Sequence, residues 1–172
     1  MLRVLLILAA FSVALPALAQ SDEATEARAA ANLALLNAKG RAPANAIAGT
    51  TFMVLKSGPA SGAHPTRTSA IKVRYEGSFL EGELFDTSYG KETDDATIFP
   101  LRALIPGFVS AVMMMKPGDE WLVSIPPEMA YGSVGHPLAG KHLFFKIELV
   151  DHAEMAPTPS PIMKRLPGRK SR

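Results

Sequence analysis

The stretch Ile71-Lys72-Val73-Arg74-Tyr75-Glu76-Gly77 decides how the chain folds. Apolar and charged residues alternate through it, which places Ile71, Val73 and Tyr75 on one face and Lys72 and Arg74 on the other. That is the period of a half-buried strand, read here over Ile71 to Tyr75. Gly77 is expected to end it, Glu81-Gly82 forms a turn, and Ser78 to Phe85 is expected to fold back as a hairpin. A second run, Leu143-Phe144-Phe145-Lys146-Ile147-Glu148-Leu149, marks a last strand over Lys141 to Val150.

Between these runs, Leu101 to Met115 carries the one internal helix pattern. Pro106 is tolerated in a first turn, where its missing N–H would have no partner anyway. Phe108, Ala111, Val112 and Met115 then fall at i, i+3, i+4 and i+7, one buried face. Lys116-Pro117-Gly118 ends the helix. Thr50 to Lys56 and Glu120 to Ile125 read as strands, the latter with Trp121, Val123 and Ile125 on one side and Pro126-Pro127 as its break. Ser57 to Ser69, Asp86 to Thr97 and Met129 to Lys141 read as loops. Strands, one short helix and more strands, joined by hairpin-like connections, predict an α+β fold: a twisted antiparallel sheet packed on one helix.

The chain has 172 residues, 48% of them apolar, enough for one domain plus extensions. The absence of cysteine excludes disulfides, thiol catalysis and Cys-ligated zinc. His64, His136, His142 and His152 lack metal-ligand spacing, so no metal and no cofactor is expected. The net charge of +2 hides an asymmetry: the end of the chain carries Lys164, Arg165, Arg169, Lys170 and Arg172 and no acid after Glu154. From Ala153 onward, prolines and basic residues without periodicity read as disordered. Such a tail either is simply solvated or touches an anionic envelope surface. No nucleic-acid partner is expected.

The other end reads as an export signal. Arg3 precedes the apolar run Val4 to Leu15, too short to span a bilayer comfortably, and Ala17-Leu18-Ala19 supplies small residues for cleavage before Gln20. The alternative is an uncleaved membrane anchor. Ser21 to Lys39 reads as a helix with Ser21 as N-cap and Asp22 and Glu23 in the first turn. Its apolar face is thin, so it either packs on something or frays. The expected organisation is a signal peptide over 1–19, a helix and linker over 20–48, a folded domain over 49–153 and a basic tail over 154–172.

Seven pieces, in order, resemble the FKBP-type peptidyl-prolyl isomerases: Val73-Arg74-Tyr75-Glu76-Gly77, Gly82-Glu83-Leu84-Phe85-Asp86-Thr87-Ser88, Phe99-Pro100-Leu101, Leu104-Ile105-Pro106-Gly107-Phe108, Met115-Lys116-Pro117-Gly118, Ile125-Pro126-Pro127-Glu128-Met129-Ala130-Tyr131-Gly132, and Leu143 to Leu149. With the export signal and preceding helix, the chain is similar to the bacterial macrophage-infectivity-potentiator branch, whose members often dimerise through a longer N-terminal segment. The resemblance implies a sheet half-wrapped around the Pro106 to Met115 helix, with a substrate proline held between them. It implies that Tyr75, Phe85, Asp86, Phe99, Leu104, Ile105, Phe108, Tyr131 and Phe145 line that pocket, with His136 beside it. The implied substrates are proline-containing unfolded or exported polypeptides in the periplasm or at the outer envelope. A macrolide is the implied small ligand, and a monomer or weak homodimer the implied state.

These residue types suit prolyl isomerisation. They include no nucleophile–base pair, and none is needed. Twisting an X–Pro amide breaks its resonance, and an apolar pocket favours the less dipolar twisted state over the planar one. Phe85, Phe99, Phe108 and Phe145 would supply the walls and Leu104 and Ile105 the rim. The Ile105 N–H and the Tyr131 hydroxyl would hold substrate carbonyls, and Asp86, bonded to Tyr75, would orient the pocket. Two departures from the family predict a weaker grip. Phe108 stands where the floor is commonly Trp. The Gly135 to Lys141 loop is short, with Leu138 its one apolar candidate to overhang the pocket. The competing reading is a chaperone or binding module of the same fold with little isomerase activity.

Overall fold

The structure, a computed structural model, describes residues 17–37, 49–90 and 95–155. The reading of residues 1–19 as a signal peptide lies outside them except for Ala17 to Ala19, and the reading of 154–172 as a disordered tail except for Glu154 and Met155. The elements are α1 (Ala17–Asn37), β1 (Thr51–Lys56), β2 (Ser69–Ser78), β3 (Leu84–Thr87), β4 (Thr97–Pro100), a 3₁₀ turn (Leu101–Ala103), α2 (Pro106–Val112), β5 (Glu120–Ile125), a second 3₁₀ turn (Pro127–Met129) and β6 (Leu143–Glu154). The strands form one antiparallel sheet in the order β1-β5-β6-β2-β3. β4 shares the outer edge of β2 with β3: β3 takes Glu76–Ser78 and β4 takes Ala70–Val73.

The alternation of β2 sets the layers. Ile71, Val73 and Tyr75 are buried and Lys72, Arg74 and Glu76 are half-buried. On the inner face, one row across the sheet is Trp121–Ile147–Tyr75 and the next is Val123–Phe145–Gly77. Apart from Gly77, these residues form a single core with Phe108, Val109, Ala111, Val112 and Met115 of α2 and the turn that follows it. On the opposite face α1 packs on β5 and β1, and between Ala27, Arg28, Ala31, Asn32 and Ala34 of the helix and Leu122, Lys146, Glu76 and Ser78 of the sheet lies a second cavity of about 300 Å³. The result is three layers, α1, sheet and α2, which explains why β5 is buried on both faces. The N-terminal helix therefore packs rather than frays, with Leu35 and Asn32 buried beneath it.

Several boundaries differ from the sequence reading, each for a local reason. α1 begins at Ala17, so Ser21, Asp22 and Glu23 lie within the helix and not at its cap. Gly77 does not end β2; it pairs with Asp86 on one side and Phe145 on the other. Asp86 and Thr87 belong to β3, not to the loop, because the Thr87 hydroxyl donates to the Tyr75 carbonyl (3.1 Å) and the Ser88 N–H to the same oxygen (3.0 Å). β4 is too short to announce itself, and its Pro100 is tolerated because the strand sits on an edge. α2 stops at Val112. The Met114 and Met115 N–H groups then bond three residues back, a tightened final turn that still buries Met115. β6 runs on through Ala153 and Glu154, which the sequence assigned to the tail. A bulge lets Asp151–Glu154 pair with Ser69–Lys72, and the Glu154 carboxylate accepts from the hydroxyls of Ser69 (2.6 Å), Thr66 (2.7 Å) and Thr68 (2.9 Å).

Candidate active site

A cleft of about 290 Å³ opens between the start of α2 and the inner face of the sheet, lined by Tyr75, Phe85, Asp86, Phe99, Ala103, Leu104, Ile105, Phe108, Tyr131 and Phe145. The structure thus brings all nine sequence-predicted residues together and adds Ala103. They come from seven places: β2, β3, β4, the segment from Ala103 to Ile105, α2, the loop after the second 3₁₀ turn, and β6.

Phe145 is the hub. Its ring meets Phe108 edge-on at 5.3 Å and Phe85 edge-on at 5.6 Å, and lies 6.5 Å from Tyr75. Tyr75 in turn leans on Phe99 at 6.0 Å. Edge-to-face rings are stable and leave a concave surface where flat stacks would close it. Gly77 makes this possible. It lies in the same row as Phe145, and a Cβ there would sit 2.8 Å from the Phe85 ring and 3.0 Å from the Phe145 ring. The sequence reading treated Gly77 as a strand stop. A glycine inside a strand also marks a close approach, and that was the available signal. Phe79, likewise passed over, backs Phe85 at 5.1 Å.

The polar groups are few and fixed. The Tyr75 hydroxyl donates to Asp86 Oδ2 at 2.6 Å, and the Thr87 N–H donates to Asp86 Oδ1 at 2.9 Å. Burial, then the hydrogen bond and charge of Asp86, push the Tyr75 phenol well above its ordinary range. Tyr75 therefore remains protonated at neutral pH and serves as a donor, not a base. Asp86 is exposed at the mouth, Tyr131 is 36% exposed, and Leu104 and Ile105 are half-buried on the rim. His136 stacks on Tyr131 at 3.8 Å, nearly parallel, and its Nδ1 accepts from the Leu138 N–H at 3.0 Å. That bond braces the imidazole against the face of the Tyr131 ring. Leu138 packs on the core and does not line the cleft, so the cleft is open on that side. Among the described residues, no hydrogen bond takes up the Ile105 N–H. None of their His, Asp or Glu side chains form a group of three able to hold a metal ion. What the arrangement offers a ligand is apolar walls and a few donors at the rim.

Residues 62–150 match the family described as FKBP-type peptidyl-prolyl cis-trans isomerase. The chain is 40% identical over 105 residues to the peptidyl-prolyl cis-trans isomerase Mip of Coxiella burnetii, covering 59% of this chain and 44% of that protein. It is 34% identical over 121 residues to the FKBP-type 22 kDa peptidyl-prolyl cis-trans isomerase of Escherichia coli, covering 67% and 55%. Among solved structures, it resembles FkpA from Escherichia coli with a TM-score of 0.61 at 27% identity, covering 80% of this chain and 64% of that one. A peptidyl-prolyl cis-trans isomerase from Pseudomonas syringae gives a TM-score of 0.60 at 27% identity, covering 83% and 100%. The chain spans about half the length of the curated relatives it matches.

Proposed function

The chain belongs to the FKBP-type peptidyl-prolyl cis-trans isomerase family, and on that premise we propose that it isomerises X–Pro bonds in exported polypeptides, with residues 49–153 as the active domain. The observation that carries the reading is the cleft itself: aromatic walls around about 290 Å³, with one carboxylate oriented by Tyr75 and no nucleophile–base pair among the lining residues. That volume lies at the lower end of the roughly 300–1,000 Å³ typical of small-molecule pockets, which suits a prolyl ring and its neighbours.

The uncatalysed barrier is roughly 18–20 kcal/mol, because rotation breaks amide resonance. In the twisted state the carbonyl is less polar and the nitrogen lone pair is localised. The apolar walls of Phe85, Phe99, Phe108 and Phe145 withdraw solvent from the planar amide, which loses more by desolvation than the twisted one does. A hundredfold acceleration requires only about 2.7 kcal/mol of such preference. The Ile105 N–H and the Tyr131 hydroxyl are placed to hold substrate carbonyls at the rim. Tyr75, bonded to Asp86, fixes the wall between Phe99 and Phe145. No covalent step enters.

A protease-coupled assay on a short X–Pro peptide tests the reading. Catalysed exchange that collapses in Phe85→Ala or Asp86→Ala, with the domain still folded, supports it. Background rates, with aggregation of unfolded clients still suppressed, would make the chain a binding module of the same fold. If both variants keep wild-type rates, the site assignment is wrong.

The finer partners belong to the same proposal. The cleft is expected to take a macrolide weakly, since it lacks an overhanging wall beyond Tyr131. The location is the periplasm or the envelope, with the basic tail on an anionic surface. Deleting residues 155–172 should then release the protein from the envelope fraction, and unchanged fractionation removes that part. The expected state is a monomer or weak homodimer: α1 buries Asn32 and Leu35 against its own chain and leaves Leu33 exposed. Sedimentation across a concentration series measures this.

A further inference from the structure

None of the residues lining the cleft belongs to α1, yet α1 grips the turn that carries one wall of the cleft. That turn, Phe79 to Glu83, joins β2 to β3 and is closed by Phe79 N–H to the Glu83 carbonyl (2.9 Å) and Gly82 N–H to the Phe79 carbonyl (3.0 Å). Asn32, only 1% exposed, donates its Nδ2 to the Phe79 carbonyl at 2.8 Å and to Ser78 Oγ at 3.1 Å. One turn earlier on the helix, Arg28 Nε donates to the Gly82 carbonyl at 2.9 Å. The backbones are in direct contact: a Cβ on Gly82 would lie within 2.1 Å of the Thr25 carbonyl and 2.9 Å of the Ala29 nitrogen, and Gly82 also has φ +85°. Both constraints require glycine there.

A buried amide spent on another element's backbone defines a position, because either partner left without the other would be costly. Here the position defined is that of β3. This strand has four residues, sits at the sheet edge, and pairs only with the last three residues of β2. It carries Phe85 and Asp86. Phe79, whose carbonyl Asn32 holds, places its ring 5.1 Å behind Phe85. We infer that Asn32 and Arg28 are positioning residues for the cleft: through the Phe79–Glu83 turn, α1 sets where Phe85 and Asp86 stand. The helix is then part of the isomerase apparatus, although the family match begins only at residue 62. The inference rests on the isomerase reading for its effect on rate, but its structural half stands apart from it.

The test uses the full chain with fluorophenylalanine incorporated, the Phe85 signal being assigned by its loss in Phe85→Leu. Asn32→Leu keeps the bulk and removes the donors; Asn32→Gln restores an amide. For Asn32→Leu we expect a shifted or broadened Phe85 signal well below the melting temperature. We also expect a loss of kcat/KM on the X–Pro peptide of about fivefold, the weight of one such hydrogen bond, with partial recovery in Asn32→Gln. Should Asn32→Leu fail to fold, Arg28→Met at the half-buried contact is expected to move the same signal with roughly a twofold loss. An unmoved Phe85 signal in the folded variants overturns the inference, whether or not the rate falls. If the wild-type chain shows no isomerisation, the functional reading fails, and the fluorine spectra alone decide the positioning.

Discussion

Replacing Gly77 with alanine adds one methyl group at the point where two rings of the cleft come together. The new Cβ would lie 2.8 and 2.9 Å from two atoms of the Phe85 ring and 3.0 Å from one of Phe145. Ordinary carbon contacts begin near 3.5 Å, so the Phe85 ring must withdraw by roughly 0.7 Å and the Phe145 ring must give by a few tenths of an ångström. Phe145 is clamped between Phe108 and Phe85 in the core, whereas Phe85 is half-buried on an edge strand and has room to move. The larger displacement therefore falls on Phe85. The fold loses about 1–2 kcal/mol to overpacking and recovers about 0.5–1 kcal/mol because alanine restricts the unfolded chain more than glycine does. Catalysis has no such compensation: a misplacement near 1 Å costs on the order of a hundredfold, and 0.7 Å on the order of ten- to a hundredfold. Gly77→Ala should thus melt within a few degrees of wild type and lose at least about tenfold in kcat/KM in the peptide assay. Wild-type kcat/KM in this variant would refute the placement of Phe85 as a wall of the reacting cleft.

Other perturbations have outcomes of known sign. Tyr75→Phe removes the 2.6 Å bond to Asp86; a hydrogen bond to a charged group is worth about 1.5–3 kcal/mol, so chemical denaturation should register a loss in that range, with kcat/KM falling as Asp86 loosens. A change under about 0.5 kcal/mol would mean the pair is not formed in solution. Asp119, buried behind the Lys116 turn, accepts from the N–H groups of Gly58 (2.6 Å) and Lys116 (2.8 Å). Asp119→Ala should cost about 3 kcal/mol, and a midpoint equal to wild type would contradict that role. The hydroxyls of Ser69, Thr66 and Thr68 hold the Glu154 carboxyl below its usual range. Its contribution is therefore fully present above the unfolded value of about 4.3 and lost as pH falls through the lower folded value. Glu154→Gln should flatten the acid limb of the stability–pH curve, and superimposable limbs would remove Glu154 as a contributor.

Much of this architecture could be read from residue order because its signals are local. The alternation in Ile71 to Tyr75, the i, i+3, i+4, i+7 spacing from Phe108 to Met115, and the Pro126-Pro127 stop each report on their own segment. Glu120–Ile125 matches its strand to the residue. The nine cleft residues come from the order of seven motifs, not from periodicity, since residues from seven places in the chain meet only after folding. The misses are non-local. Nothing in Asp86-Thr87 or Ala153-Glu154 announces a strand; their pairing is imposed by Tyr75 and by Ser69 to Lys72. The partner of α1 was hidden for the same reason. A helix rich in alanine shows no strong face, and its specificity lies in two polar side chains aimed at a turn some fifty residues away.

The central claim is that an apolar cleft lowers the barrier to prolyl rotation with no acid, base or nucleophile. Exchange NMR on a proline-containing peptide, with the protein at substoichiometric amount, addresses it most directly. Cross-peaks linking the cis and trans signals should appear at mixing times where the free peptide shows none, and the exchange rate they report should fall at least about tenfold with Gly77→Ala. A peptide that binds, shifts the signals of the cleft residues and still exchanges at its free rate would contradict the account.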